Sequence, residues 1–170
     1  MTTVLLKTKL DIPPVRSEQV GRPRLFEQLD AGLERKLTLI SAPAGYGKTT
    51  LVSAWIKARG IPTAWFSIEP EDNHPESFWF YVITALQNMD GRVGEDSLAM
   101  LRTSPPSPFE TILPALLNEL DKIQKDFILV LDDFYVITSR QVQEGVMFLV
   151  GHLPLGPGTA RRGAGTKQAA

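Results

Sequence analysis

Residues 37–50 read Leu37-Thr38-Leu39-Ile40-Ser41, then Ala42-Pro43-Ala44-Gly45-Tyr46-Gly47, then Lys48-Thr49-Thr50. An apolar, β-like run leads into a glycine-bearing loop, and Lys-Thr opens a helical pattern over 49–59. There Leu51, Val52, Trp55 and Ile56 share one face. This is the P-loop arrangement, or Walker A, with Ala42 where the strictest form has Gly. Such a loop turns backbone N–H groups inward, and the helix behind it adds the positive end of its dipole. Together they suit the phosphates of a nucleotide. Gly45 and Gly47 admit positive φ and close approach by phosphate oxygens. In this reading Lys48 reaches the β- and γ-phosphates and Thr49 places its hydroxyl on Mg²⁺, while Thr50 has a weaker claim on the α-phosphate. The bland alternative is a strand-to-helix turn whose glycines serve geometry alone, and the flanking pattern disfavours it.

A second string supports the first. Phe127-Ile128-Leu129-Val130-Leu131 is an apolar run that ends in Asp132-Asp133. A strand this apolar reads as buried in a parallel sheet. It delivers an acidic pair to the edge where ligands of open α/β folds bind, which is the Walker B pattern. Asp132 is then the Mg²⁺ holder, and Asp133 orients or deprotonates the attacking water. Alone this signal is weak, because many buried strands end in Asp and such a pair also caps a turn. Beside the P-loop, the functional reading is preferred.

The composition sets bounds. The 170 residues make one domain or part of one, and 43% are hydrophobic, enough for a core. The net charge of −1 gives no global attraction to nucleic acid. With no cysteine there is neither a disulfide nor a thiolate metal site. The N-terminal string MTTVLLKTKLDIPP has no small-residue cleavage site, and no apolar run approaches the ~18 residues of a membrane span. The expectation is a cytoplasmic protein with no membrane partner.

Further elements follow from periodicity and breakers. Residues 1–20 read as an extended segment, with Pro13 and Pro14 forbidding helix and Lys7, Lys9 and Arg16 as scattered charges. An amphipathic helix follows Pro23 through Leu25, Leu29 and Leu33. Thr63–Ile68 is a second strand. Glu69–His74 is an acidic turn, and a helix starts at Pro75. Residues 90–108 read as loop. A helix then runs to about Gln124, with Ser107 and Glu110 at capping-box spacing and a kink or later start at Pro114. The last helix spans 139–152, with Thr138 and Gln141 at capping-box spacing. Arg22 and Arg24 are nucleotide contacts or a solvated helix start. Asp72-Asn73-His74 reads as a turn and cap before a polar site. His152 reads as a surface or cap residue. Trp65, Phe78 and Trp79 read as core, because no basic stripe accompanies them.

Several strings together resemble a known family. They are Thr8-Lys9-Leu10, Arg22-Pro23-Arg24-Leu25, Lys36 through Thr50, Ala64-Trp65, and Asp72-Asn73 with Pro75 and Phe78-Trp79. Leu116 through Leu120, Leu129 through Asp133, Phe148-Leu149 and His152-Leu153-Pro154 complete the set. The chain resembles the N-terminal ATPase module of MalT-like, large ATP-binding LuxR-family transcriptional regulators of the STAND class, over residues 5–154. The resemblance implies an α/β fold: an ASCE-type P-loop NTPase with three αβα layers and parallel strands near 37–41, 63–68 and 127–131. It implies an ATP/ADP-binding switch with Mg²⁺, in which slow hydrolysis resets the state. Ala42, Pro43, Ala44, Gly45, Tyr46, Gly47, Lys48, Thr49 and Thr50 form its cradle, and Arg22 and Pro23 join the adenine pocket. Thr49 and Asp132 hold the metal, and Lys48 and Asp133 are its catalytic pair. Relatives carry sensor and DNA-binding regions that are absent here and self-assemble when activated, so this chain is not expected to bind nucleic acid directly.

After Pro154 the pattern departs. The family continues into a strand ending in a polar or Arg sensor, whereas 155–170 is Gly/Ala-rich and reads as a disordered, aberrant tail, a frameshifted or truncated end. The domain division is therefore 1–20 extended, 21–154 a partial P-loop NTPase domain, and 155–170 tail. By analogy with the family, strand 37–41 loses both neighbours and exposes unpaired backbone. Two function classes stay open: an ATP-binding switch module, and a non-catalytic fragment with neither ATP hydrolysis nor DNA binding of its own. The missing sensor strand argues against turnover. A stand-alone nucleotide kinase is disfavoured, since no acceptor site or Arg-rich lid follows Asp133.

Overall fold

The computed structural model describes residues 5–15, 22–103, 108–123, 125–153 and the backbone of 161–167. Four strands form one parallel sheet: β1 (Leu37–Ser41), β2 (Thr63–Ser67), β3 (Phe127–Asp132) and β4 (Arg161–Lys167), in the order β1-β4-β3-β2. Among the described residues six α-helices accompany it: α1 (Pro23–Gly32), α2 (Lys48–Arg59), α3 (Pro75–Met89), α4 (Glu95–Leu101), α5 (Phe109–Asp121) and α6 (Arg140–His152).

Alternation along the strands divides the core into two clusters. Phe127, Leu129 and Leu131 of β3, with Ala64 and Phe66 of β2, pack with residues of α3, α4, α5 and α6. Ile128 and Val130 of β3, with Trp65 of β2, pack with Leu29 of α1 and with Val52, Trp55 and Ile56 of α2. A strand that is apolar at every position needs cover on both faces, and β3 is buried at all six of its residues. Helix α2 stops at Gly60, whose φ of 62° is the left-handed C-terminal cap.

The strands expected at 37–41, 63–68 and 127–131 all form; Ile68 falls just beyond β2, and Asp132 extends β3. The tail expectation is corrected over 161–167. This segment is β4, paired with β1 from Leu37↔Gly163 to Ser41↔Lys167 and with β3 from Phe127↔Arg161 to Leu131↔Gly165. Strand β1 therefore has a neighbour. Ladder hydrogen bonds come from the backbone, so a sequence without β-branched apolar residues still supplies them. Residues 155–160 and 168–170 lie outside the described residues.

The loop expected over 90–108 contains α4. Its start is held by a side chain from another helix: the buried Glu119 carboxylate on α5 accepts from the Asp96 N–H at 3.1 Å and from the Ser97 hydroxyl. The proposed Ser107 cap and the helix end at Gln124 lie outside the described residues. Helix α5 begins at Phe109 and carries Pro114 inside it, so it does not start later. The N-cap of α6 is Ser139 rather than Thr138, with its hydroxyl accepting from Val142 N–H at 3.5 Å.

The N-terminal segment is not simply extended. Lys7–Leu10 forms a 3₁₀ turn, and Lys9 is buried rather than a free surface charge. Its ammonium lies 3.0 and 2.8 Å from the two Asp72 carboxylate oxygens and 2.9 Å from Glu69 Oε2. Burial opposes the charge on Lys9, but its hydrogen bonds to Asp72 and Glu69 outweigh that cost and raise its pKa above the ordinary value. Arg16 lies outside the described residues.

Candidate functional site

The sheet brings its two motifs to one edge. Strand β1 runs into residues 42–47, and α2 starts at Lys48. Gly45 and Gly47 have φ of 82° and 74°, the left-handed conformation that a side chain disfavours. Lys48 lies back along the loop, its ammonium donating to the Ala42 carbonyl at 2.8 Å and the Pro43 carbonyl at 3.3 Å. Ala42, Gly47, Lys48 and Thr49 are half-buried, whereas Pro43, Ala44, Gly45, Tyr46 and Thr50 are exposed.

Strand β3 ends at Asp132, which is 3% exposed. The Thr49 hydroxyl donates to Asp132 Oδ2 at 2.8 Å, across a separation of 83 residues. That bond ties the first turn of α2 to the end of β3. Two hard oxygen donors therefore meet at the edge of the sheet, the kind of donor set that suits Mg²⁺.

Asp133 is the next residue and the only non-glycine with positive φ among the described residues, at φ 59° and ψ 32°. Asp is one of the few residues that tolerate this conformation. Burial, and after it the neighbouring Asp132 carboxylate, push the Asp133 carboxyl above its usual range; Lys48 pulls the other way.

Arg22 and Pro23 open α1, where the Arg22 carbonyl accepts from the Leu25 and Phe26 N–H groups. Neither side chain is hydrogen-bonded to residues 42–50. The site thus gathers Lys48, Thr49, Asp132 and Asp133 around the loop, and leaves Arg22 and Pro23 without a bond to it.

Sequence reasoning underrated the turn at 72–73. Asp72 is 1% exposed, ion-paired to Lys9, and accepts from the Glu69 N–H at 2.8 Å. Asn73 bonds to the loop that follows Asp133. The Asp-Asn pair was legible as a polar turn, but its partners lie over sixty residues away and carry no local signal.

The chain is 33% identical over 151 residues to the HTH-type transcriptional regulator MalT of Cronobacter sakazakii. It is 34% identical over 151 residues to MalT of Serratia proteamaculans. Over most of its own length the chain is therefore similar to MalT regulators. In both comparisons 89% of this chain is aligned, yet it spans only 17% of the length of the relative. The same share holds for MalT of Klebsiella pneumoniae, at 33% identity. No family model matches. The chain is α/β with a small parallel sheet, and none of its described helices is long and apolar enough to cross a membrane.

Proposed function

We propose that this MalT-like chain is an ATP-binding switch module of a transcriptional regulator, built as an ASCE-type P-loop NTPase domain. The single observation that carries the reading is the Thr49–Asp132 hydrogen bond, because it joins the two motifs at the phosphate end of the sheet. The relatives' name, HTH-type transcriptional regulator, supplies the regulatory context. Sensor, DNA-binding and assembly functions are assigned to the rest of such a regulator.

In this reading the N–H groups of 43–49 and the N-terminus of α2 receive phosphate oxygens. Lys48 leaves the Ala42 and Pro43 carbonyls and places its charge on the β- and γ-phosphates. Thr49 and Asp132 would hold Mg²⁺, which would supply neutralisation of phosphate charge. Asp133 would accept a hydrogen bond from a water bound together with Mg·ATP, so that both the placement of that water and the affinity for Mg·ATP depend on it. Arg22 and Pro23, at the start of α1, border the adenine end.

A fluorescent-ATP titration tests this. Lys48→Ala is expected to weaken binding by about tenfold or more, the loss of one charge-assisted contact of ~1.5–3 kcal/mol. Equal affinity in the two proteins rejects the reading.

A second reading has its own observation. The strand between β1 and β3 reads Arg161-Arg162-Gly163-Ala164-Gly165-Thr166-Lys167, unlike the apolar strand the family resemblance calls for there. That favours a fragment that binds nucleotide but neither turns it over nor binds DNA. Nucleotide capture without phosphate release in a single-turnover assay is its signature.

A further inference from the structure

The loop 134–139, directly after Asp133, is fastened chiefly by Asn73, from the turn that follows the neighbouring strand β2, with Gln143 Nε2 also donating to the Ile137 carbonyl at 2.9 Å. Asn73 Nδ2 donates to the Val136 carbonyl at 2.9 Å and to the Pro70 carbonyl at 3.0 Å. Asn73 Oδ1 accepts from the Thr138 N–H at 2.7 Å, the Thr138 hydroxyl at 3.2 Å and the Ser139 N–H at 3.0 Å. Both donors and both lone-pair directions of the amide are engaged. Asn supplies two N–H donors and a carbonyl acceptor on one short side chain; ionised Asp supplies only acceptors and Leu neither.

The amide is itself firmly anchored. Its neighbour Asp72 is buried and paired with Lys9, and Glu69 and Asp72 close a reciprocal capping box around the Pro70–Asn73 turn. On the other side, the loop has a cost to carry. Asp133 sits at φ 59°, a conformation that only a few non-glycine residues tolerate and that persists where its surroundings over-determine it. Two constraints bracket Asp133. Strand β3 fixes the chain up to Asp132, and Asn73 fixes it again at Val136, Thr138 and Ser139. Within that bracket the Val136 N–H closes a turn on the Asp133 carbonyl at 3.1 Å.

We propose that Asn73 is a positioning residue of the nucleotide site, holding the loop 134–139 so that Asp133 stays at the sheet edge beside Asp132. The inference rests on the nucleotide reading above. Asn73 acts through Asp133 and touches no ligand itself. It also links the site to the N-terminal segment, through the adjoining Asp72–Lys9 pair.

A double-mutant cycle tests it, with fluorescent Mg·ATP affinity as the readout and thermal melting as the fold control. Asn73→Ala is expected to weaken Mg·ATP binding by about threefold or more, within the usual range for coupled neighbours. In the Asp133→Asn background the same substitution is expected to change affinity by less than about 1.5-fold, because the residue it positions is already disabled. Asn73→Asp, which keeps the acceptors for Thr138 and Ser139, is expected to fall between wild type and Asn73→Ala, and it carries the cycle if Asn73→Ala does not fold. Equal losses in the two backgrounds overturn the inference, since they show a merely structural staple; so does unchanged affinity in Asn73→Ala. Absence of Mg·ATP binding by the unsubstituted chain overturns the nucleotide reading, and this inference with it.

Discussion

The two halves of the sheet are built differently. In the β2–β3 half, Trp65, Phe66, Ile128 and Val130 are all at most 1% exposed, and Phe66 stacks on Tyr81 at 5.1 Å and meets Phe78 at 5.7 Å. In the β1–β4 half, Leu37 and Leu39 are 42% and 58% exposed. An apolar cleft of about 110 Å³ opens beside them, bordered by Leu129, Val146, Met147 and Val150. The difference separates two jobs that a strand performs. Pairing with β4 satisfies one edge of the β1 backbone, while the outer faces of Leu37 and Leu39 stay open. The glycine-bearing loop 42–47 hangs from the thinly covered half, and Asp132-Asp133 ends the densely packed one. The Thr49–Asp132 bond spans them.

The sharpest way to break this contrast is to cut into the packed half. Phe66→Ala is expected to cost about 4 kcal/mol by leaving a cavity between β2 and α3, read as a drop in the denaturation midpoint. A loss below about 1 kcal/mol would mean that β2 is no better packed than β1.

Next in size is the ion pair that ties the N-terminal turn to the same half. Lys9→Met strands the Asp72 carboxylate, 1% exposed, without its cation and is expected to cost about 3 kcal/mol. The pH sign is defined by the raised Lys9 pKa. Its stabilising contribution is complete below the unfolded-state value of 10.5 and is lost as pH climbs through the higher folded-state value. Urea titrations of wild type and Lys9→Met at neutral pH, repeated above that window, should differ at the first and converge at the second.

The smallest effect is expected on β1. Leu39→Thr should stay within about 0.5 kcal/mol of wild type, since the side chain is mostly exposed and Thr suits a strand. A loss comparable to Phe66→Ala would show that the β1 face is covered in solution and erase the distinction between the halves.

Particular residues show why some of this was legible and some was not. The apolar runs at 37–41, 63–67 and 127–131 carry their strand signal locally, and Gly45, Gly47, Lys48 and Thr49 sit at fixed spacing on one short stretch. Helix α4 was missed because its cap, Glu119, arrives from 22 residues away. Strand β4 was missed because its composition is that of a flexible segment, and only the open edges of β1 and β3 give its backbone partners. The roles of Lys9 and Asn73 were missed for the same reason of distance: their hydrogen bonds span 63 to 66 residues.

By itself the sequence determined an α/β chain with a phosphate-loop motif, an acidic strand end and a resemblance to MalT-like regulators. These are properties of periodicity and of short-range residue order, which survive without knowledge of what touches what. Only the tertiary structure decided that Thr49 meets Asp132, that Lys9 is buried against Asp72, that Asn73 holds the loop behind Asp133, and that a Gly/Ala-rich segment lies between β1 and β3. Those outcomes depend on which distant groups satisfy a backbone N–H, a carbonyl or a buried charge, and that competition is settled by packing.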